Sequence, residues 1–251
     1  LKYEVVIVDG GSKDGTLDIV KRFMKKYKNI RLLHNPQKLS EGKGMSKDIG
    51  MNAAKGEIVI FLDHDNILLH PTWLKEMLFP FEDNYEIMAT QSLLEFKESD
   101  TQFLKYVNAL GVEDPFAVPY SLVSQVELHP KNFPLIKEKY YTHTLSEKHV
   151  LFAGANGAAF RKSMFKEIGG YTRDVDVYAS MAALQMKVAV VKDAKIYHAT
   201  SNSLWDYLKK KGLYFYRFIN REYAVKKFQW IPTDFNGKLS FYLIVASNLS
   251  I

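Results

Sequence analysis

The chain has 251 residues, 47% apolar and 25% charged, enough for one large domain or two small ones and too apolar for disorder to dominate. It contains no cysteine, which excludes disulfides and thiolate-ligated metals and fits a reducing compartment. The formal charge of +6 favours anionic partners such as nucleotide phosphates, nucleic acid or an anionic membrane surface, without choosing among them.

Residues 5–8 form a short apolar run that ends at Asp9 and predicts a buried strand. The turn-rich stretch Gly10-Gly11-Ser12-Lys13-Asp14-Gly15-Thr16 follows. A helical stripe of Leu17, Val20, Phe23, Met24 and Tyr27 comes next, with Asp14 or Thr16 as candidate cap. Residues 30–33 predict a second strand, and residues 42–54 a helix with a basic, glycine-rich start. Residues 57–62 predict a third, buried strand that runs into Asp63-His64-Asp65. This order of strands and helices implies a parallel sheet with right-handed crossovers.

Pro71-Thr72-Trp73 opens another helix, with proline in its first turn. Residues 87–91 predict a strand. Residues 96–150 lose the pattern and gather aromatics and prolines, so long loops and short helices are expected there, shaping a binding surface. Order returns at residues 151–160, followed by a helix over 161–168 and a helical face of Val177, Met181 and Leu184 after Asp174 and Asp176. Residues 187–191 and 195–197 predict two short strands, the second ending at His198. Residues 203–229 interleave aromatics with lysine and arginine. Such a basic aromatic helix can lie on a membrane surface, or pack its rings on the domain and leave its cations in water. The sequence contains no complete transmembrane span. It opens almost inside a strand and stops within the apolar stretch 239–251, so a piece of a longer protein is expected.

Two carboxylates one residue apart at a strand exit repel each other unless a cation lies between them. Strand exits are also where open α/β sheets bind ligands. Asp63 and Asp65 therefore nominate a Mg²⁺ or Mn²⁺ site completed by substrate phosphates. Asp9 at its own strand exit can accept hydrogen bonds from a base or ribose, although a plain strand–turn–helix junction also explains it. Lys43 and Lys47 beside a helix start suit a phosphate. Asp174 and Asp176 form a second acid pair that can supply a general base or cap a helix. His198 can ligate a metal. Neither a P-loop nor a dinucleotide fingerprint is present.

In this order, the motifs resemble the family 2 inverting glycosyltransferases of the GT-A fold. The resembling stretches are Val8-Asp9-Gly10-Gly11-Ser12-Lys13-Asp14-Gly15-Thr16, Gly44-Met45-Ser46-Lys47-Asp48-Ile49-Gly50, Ala54-Lys55-Gly56-Glu57 and Asp63-His64-Asp65. Gly154-Ala155-Asn156, Arg161, Gly169-Gly170-Tyr171, Asp174 with Asp176, and His198 complete the series. The chain departs from the family pattern at Gly10, at Lys47-Asp48 and at Arg173, where the family carries Asp, Arg-Asn and Glu.

The resemblance implies a GT-A, Rossmann-like, mostly parallel sheet flanked by helices over residues 1–200, lacking its first strand. Residues 201–251 would be a basic aromatic helical tail, possible company for a membrane. The implied activity moves a sugar, with inversion, from a UDP- or GDP-linked donor to the hydroxyl of a glycan or the hydroxyl or phosphate of a lipid-linked acceptor. By the same resemblance, Asp9 and Asp14 hold base and ribose, and Lys43 or Lys47 meets the diphosphate. Asp65 and His198 hold Mn²⁺ or Mg²⁺, with Asp63 near ribose or metal. Asp174 is the base, with Asp176 as the alternative. Nucleic acid is not an expected partner, and the expected location is the cytoplasm or the cytoplasmic face of a membrane. Two other readings compete: a nucleotidyltransferase that makes activated sugars, and a non-catalytic module that binds sugar nucleotide or membrane.

Overall fold

The computed structural model describes residues 1–109, 133–146, 157–198, 203–210 and 212. Strand β1 (Val5–Asp9) leads through the glycine-rich turn to α1 (Thr16–Lys26), and β2 (Ile30–His34) pairs parallel to β1. The N-cap of α1 is Gly15 in a left-handed conformation, rather than Asp14 or Thr16. Asp14 instead accepts the Thr16 amide and hydroxyl. Of the predicted α1 stripe only Val20 is buried; Phe23 and Tyr27 stack on each other and stay exposed.

Helix α2 (Ser46–Ala53) starts four residues later than predicted. Gly42 and Gly44 adopt φ of 121° and 75°, left-handed values that keep the basic segment out of the helix. Strand β3 (Ile58–Phe61) follows, then the short β4 (Ile67–Leu68) and α3 (Trp73–Asp83). Strand β5 (Ile87–Leu94) and α4 (Gln102–Ala109) come next. Strands β6 (Leu135–Ile136) and β7 (Tyr140–Thr144) form a hairpin within the stretch predicted as loops. Its alternation is short, and its partner is remote in sequence. Strand β8 (Ala158–Arg161), α5 (Lys162–Glu167) and α6 (Asp174–Ala183) precede β9 (Lys187–Tyr197). The two short strands predicted at the end are therefore one, with an irregularity where Ser92 pairs with Val191 but Leu93 with Lys195. Gly154-Ala155-Asn156 and most of the basic aromatic tail lie outside the described residues.

The central sheet runs β3-β8-β5-β9-β7-β6, with β4 on the end of β9. It is mixed rather than mostly parallel. Among the described residues, only β5 and β9 pair in parallel within it, and β8 lies antiparallel between β3 and β5. Successive residues of a strand face opposite sides, and the core divides accordingly. Phe160, Val188 and Val190 join Met51, Phe61, Phe165, Tyr171, Tyr178 and Met181 on one side. Ala159, Ala189 and Val191 join Trp73, Met77, Ile87, Tyr140 and Ile196 on the other. Trp73, Met77 and Ile87 are essentially inaccessible, so α3 is clamped to the sheet.

Residues 204–210 are helical, with Tyr207 buried against Phe103 and Trp205 80% exposed. Among the described residues, no helix is long and apolar enough to cross a membrane.

Candidate active site

The Asp-X-Asp turn is closed by Asn66. The Asp63 amide donates to Asn66 Oδ1 at 2.9 Å, and the Asn66 amide donates to the Asp63 carbonyl at 3.0 Å. Beyond the turn, β4 pairs antiparallel to the end of β9, with Ile67 opposite Tyr197. That register carries Asp65 to His198: Asp65 Oδ2 lies 3.1 Å from His198 Nε2. The Asp65 side chain is 46% exposed and the His198 side chain 11%. A carboxylate and an imidazole side by side at an open edge fit Mg²⁺ or Mn²⁺, which take few protein ligands and fill the rest of the shell with phosphate and water oxygens.

Asp63 does not complete a cluster with them. Among the described residues no three acidic or histidine side chains gather as a metal site. Asp63 Oδ1 lies instead 3.4 Å from Lys47 Nζ. Lys47, nominated by the sequence for a phosphate, is buried rather than on a solvated face. Its ammonium also meets Asp174 Oδ2 at 3.1 Å and Glu41 Oε1 at 3.5 Å. Burial alone would lower the Lys47 pKa, but Asp174, Glu41 and Asp63 together outweigh it and raise it.

Asp174 begins α6, 127 residues beyond Lys47, and its Oδ1 accepts the Tyr171 hydroxyl at 2.6 Å. Burial, then the Asp174 charge, push the Tyr171 hydroxyl well above its ordinary range, so it remains a donor. Asp176 is fully buried, and its Oδ2 accepts two Arg173 N–H groups at 2.9 and 3.2 Å. The residue that departs from the family pattern thus holds the second acid inward.

The Glu41 carboxyl is pushed up to about 7 by burial and by the charge of Asp174, against the pull of Lys47. Nothing in the spacing of the chain nominated Glu41. It stands one residue ahead of Gly42-Lys43-Gly44, and its partners lie on other elements. Lys43 itself is exposed.

Asp9 is engaged in its own turn. Its carboxylate accepts the Gly11 and Ser12 amides and the Ser12 hydroxyl at 2.6–2.8 Å. The Ser12 hydroxyl, then its amide, hold Asp9 below the usual carboxylate range; the Thr16 hydroxyl and amide do the same to Asp14. Neither carboxylate is joined by a described contact to the Lys47 cluster.

This α/β sheet, with its acidic turn at a strand exit, has the GT-A glycosyltransferase fold. The mannosyltransferase PcManGT from Pyrobaculum calidifontis, solved with GDP-Man and Mn²⁺, superposes over 98% of this chain and 65% of its own, with a TM-score of 0.56 and 15% identity. The sequence model of glycosyl transferase family 2 matches residues 1–169, and the chain belongs to that family. An uncharacterized glycosyltransferase of Haemophilus influenzae is 23% identical over 150 residues, 57% of this chain and 58% of its own. The cholesterol galactosyltransferase of Borreliella burgdorferi is 25% identical over 155 residues, 61% of this chain and 36% of its own. The chain thus spans little more than half the length of the first of these relatives and about a third of the second.

Proposed function

We propose that this protein transfers a sugar from a nucleotide-diphosphate donor to an acceptor hydroxyl with inversion at the anomeric carbon, assisted by a divalent cation. One observation carries the reading. Lys47 brings Asp63 of the Asp-X-Asp turn and Asp174 of α6 within 3.4 Å of one ammonium. A metal-side acid and a base candidate from distant parts of the chain thereby meet at one cation.

Asp65 and His198 would hold Mn²⁺ or Mg²⁺ with the donor diphosphate. Bound there, the cation neutralises the charge that develops on the leaving diphosphate. Lys43, exposed on its glycine-flanked loop, is placed to meet the phosphates. The Asp9 and Asp14 turns would form the nucleoside wall. Asp174 accepts the proton of the acceptor hydroxyl as that oxygen attacks the anomeric carbon from the face opposite the diphosphate. A single displacement inverts the centre and needs no covalent nucleophile. Asp176, salt-bridged and inaccessible, serves to anchor α6 rather than to take a proton.

The GDP-Man and Mn²⁺ bound by the Pyrobaculum neighbour support a nucleotide-sugar donor and a divalent cation here. The sterol named for the Borreliella relative supports a membrane-held acceptor, as does Trp205 exposed on a lysine-bearing helix. A screen of sugar nucleotides by thermal shift with Mn²⁺ tests the reading. At least one donor should raise the melting temperature only when the cation is present and release nucleoside diphosphate once an acceptor is added. No stabilisation and no release with any donor would refute it.

A further inference from the structure

Both oxygens of the Asp174 carboxylate are held, one by the Tyr171 hydroxyl and the other by the Lys47 ammonium. Glu41 reaches this arrangement from the loop ahead of α2. Its Oε1 stands 3.5 Å from Lys47 Nζ, and its carboxyl lies near the backbone N–H of Asp174. Glu41 therefore pairs with the cation that clamps the Asp174 side chain and lies beside the peptide that carries Asp174. Three carboxylates lie within 3.5 Å of this ammonium, which hydrogen-bonds to Asp174 and pairs by charge with Asp63 and Glu41. Removing one redistributes the cation between the other two.

The loop gives this contact a second consequence. The left-handed conformations of Gly42 and Gly44 let the chain turn so that Glu41 is partly buried while Lys43, two residues on, is exposed. One short loop thus touches the acceptor-side base with one side chain and offers the other to the donor phosphates.

We propose that Glu41 is a positioning residue for transfer: through Lys47 and the first peptide of α6 it orients Asp174 toward the acceptor proton, and it ties that orientation to the loop bearing Lys43. The proposal rests on the glycosyl-transfer reading above.

The test compares Glu41→Gln and Glu41→Asp with the unaltered protein in Mn²⁺, measuring transfer kinetics, donor affinity by calorimetry, and melting temperature. Glu41→Gln should lower kcat about tenfold or more while donor KM and Kd stay within about twofold, because a misplaced base slows chemistry without loosening the donor. Glu41→Asp, which keeps the charge, should recover part of kcat. An unchanged melting temperature would separate this loss from unfolding. Unaltered kcat in Glu41→Gln would overturn the positioning role and leave the transfer reading standing. So would a kcat loss matched by an equal loss of donor affinity. An unaltered protein that binds no sugar nucleotide and transfers nothing would overturn the transfer reading, and the positioning role with it.

Discussion

Asp174 and Asp176 share the first turn of α6 and meet opposite surroundings. Asp174 faces a lysine and a tyrosine, whereas Asp176 faces Arg173. Asp176→Asn should leave the nearly buried Arg173 without its counter-charge and cost roughly 3–5 kcal/mol in denaturant unfolding. A loss below about 1 kcal/mol would show that the pair is not structural. Asp65→Ala should weaken Mn²⁺-dependent binding of a nucleoside diphosphate about tenfold or more, read by calorimetry. Unchanged affinity would place the cation elsewhere. Asp63, Asp65, His198 and the two helix acids were legible in the sequence because each closes or opens an element whose pattern is plain. Glu41 was not, since a carboxylate in a loop carries no spacing of its own. Lys47 was nominated for the diphosphate, but its three carboxylate partners were not legible, because they come together only in the folded chain.

Strand β8 decides the architecture. Its antiparallel insertion between β3 and β5 is invisible to local pattern, which reads strand, helix and strand as a parallel crossover. The existence of β3, β5, α1, α3 and α5, though not every boundary, was legible from apolar periodicity, as was the junction at which β9 delivers His198. The β6–β7 hairpin was not, because its partner β9 lies far along the chain. Phe160 on β8 packs against Phe61, Phe165 and Tyr178. Phe160→Ala should therefore cost roughly 3–5 kcal/mol, measured as a fall in denaturant midpoint at constant slope. A loss near zero would mean that this side of the sheet is not the main core.

For the molecule as a whole, the Glu41 carboxyl links folding to pH. Its folded pKa of about 7 lies above the ordinary glutamate value of 4.5. The protonated form is therefore favoured by folding: the contribution is fully present below about pH 4.5 and is lost as pH rises through 7. Stability should decline over that window by an amount on the order of 1–3 kcal/mol, and Glu41→Gln should flatten the decline in pH-dependent melts. A wild-type profile that rises across the window would contradict this. The central claim joins a cation held by Asp65 and His198 to a proton taken by Asp174, and Asp174→Asn tests it most directly. In the full chain with Mn²⁺, donor affinity should stay within about twofold while kcat for transfer falls about 10²–10⁴-fold. Transfer at the unaltered rate in Asp174→Asn would contradict the account.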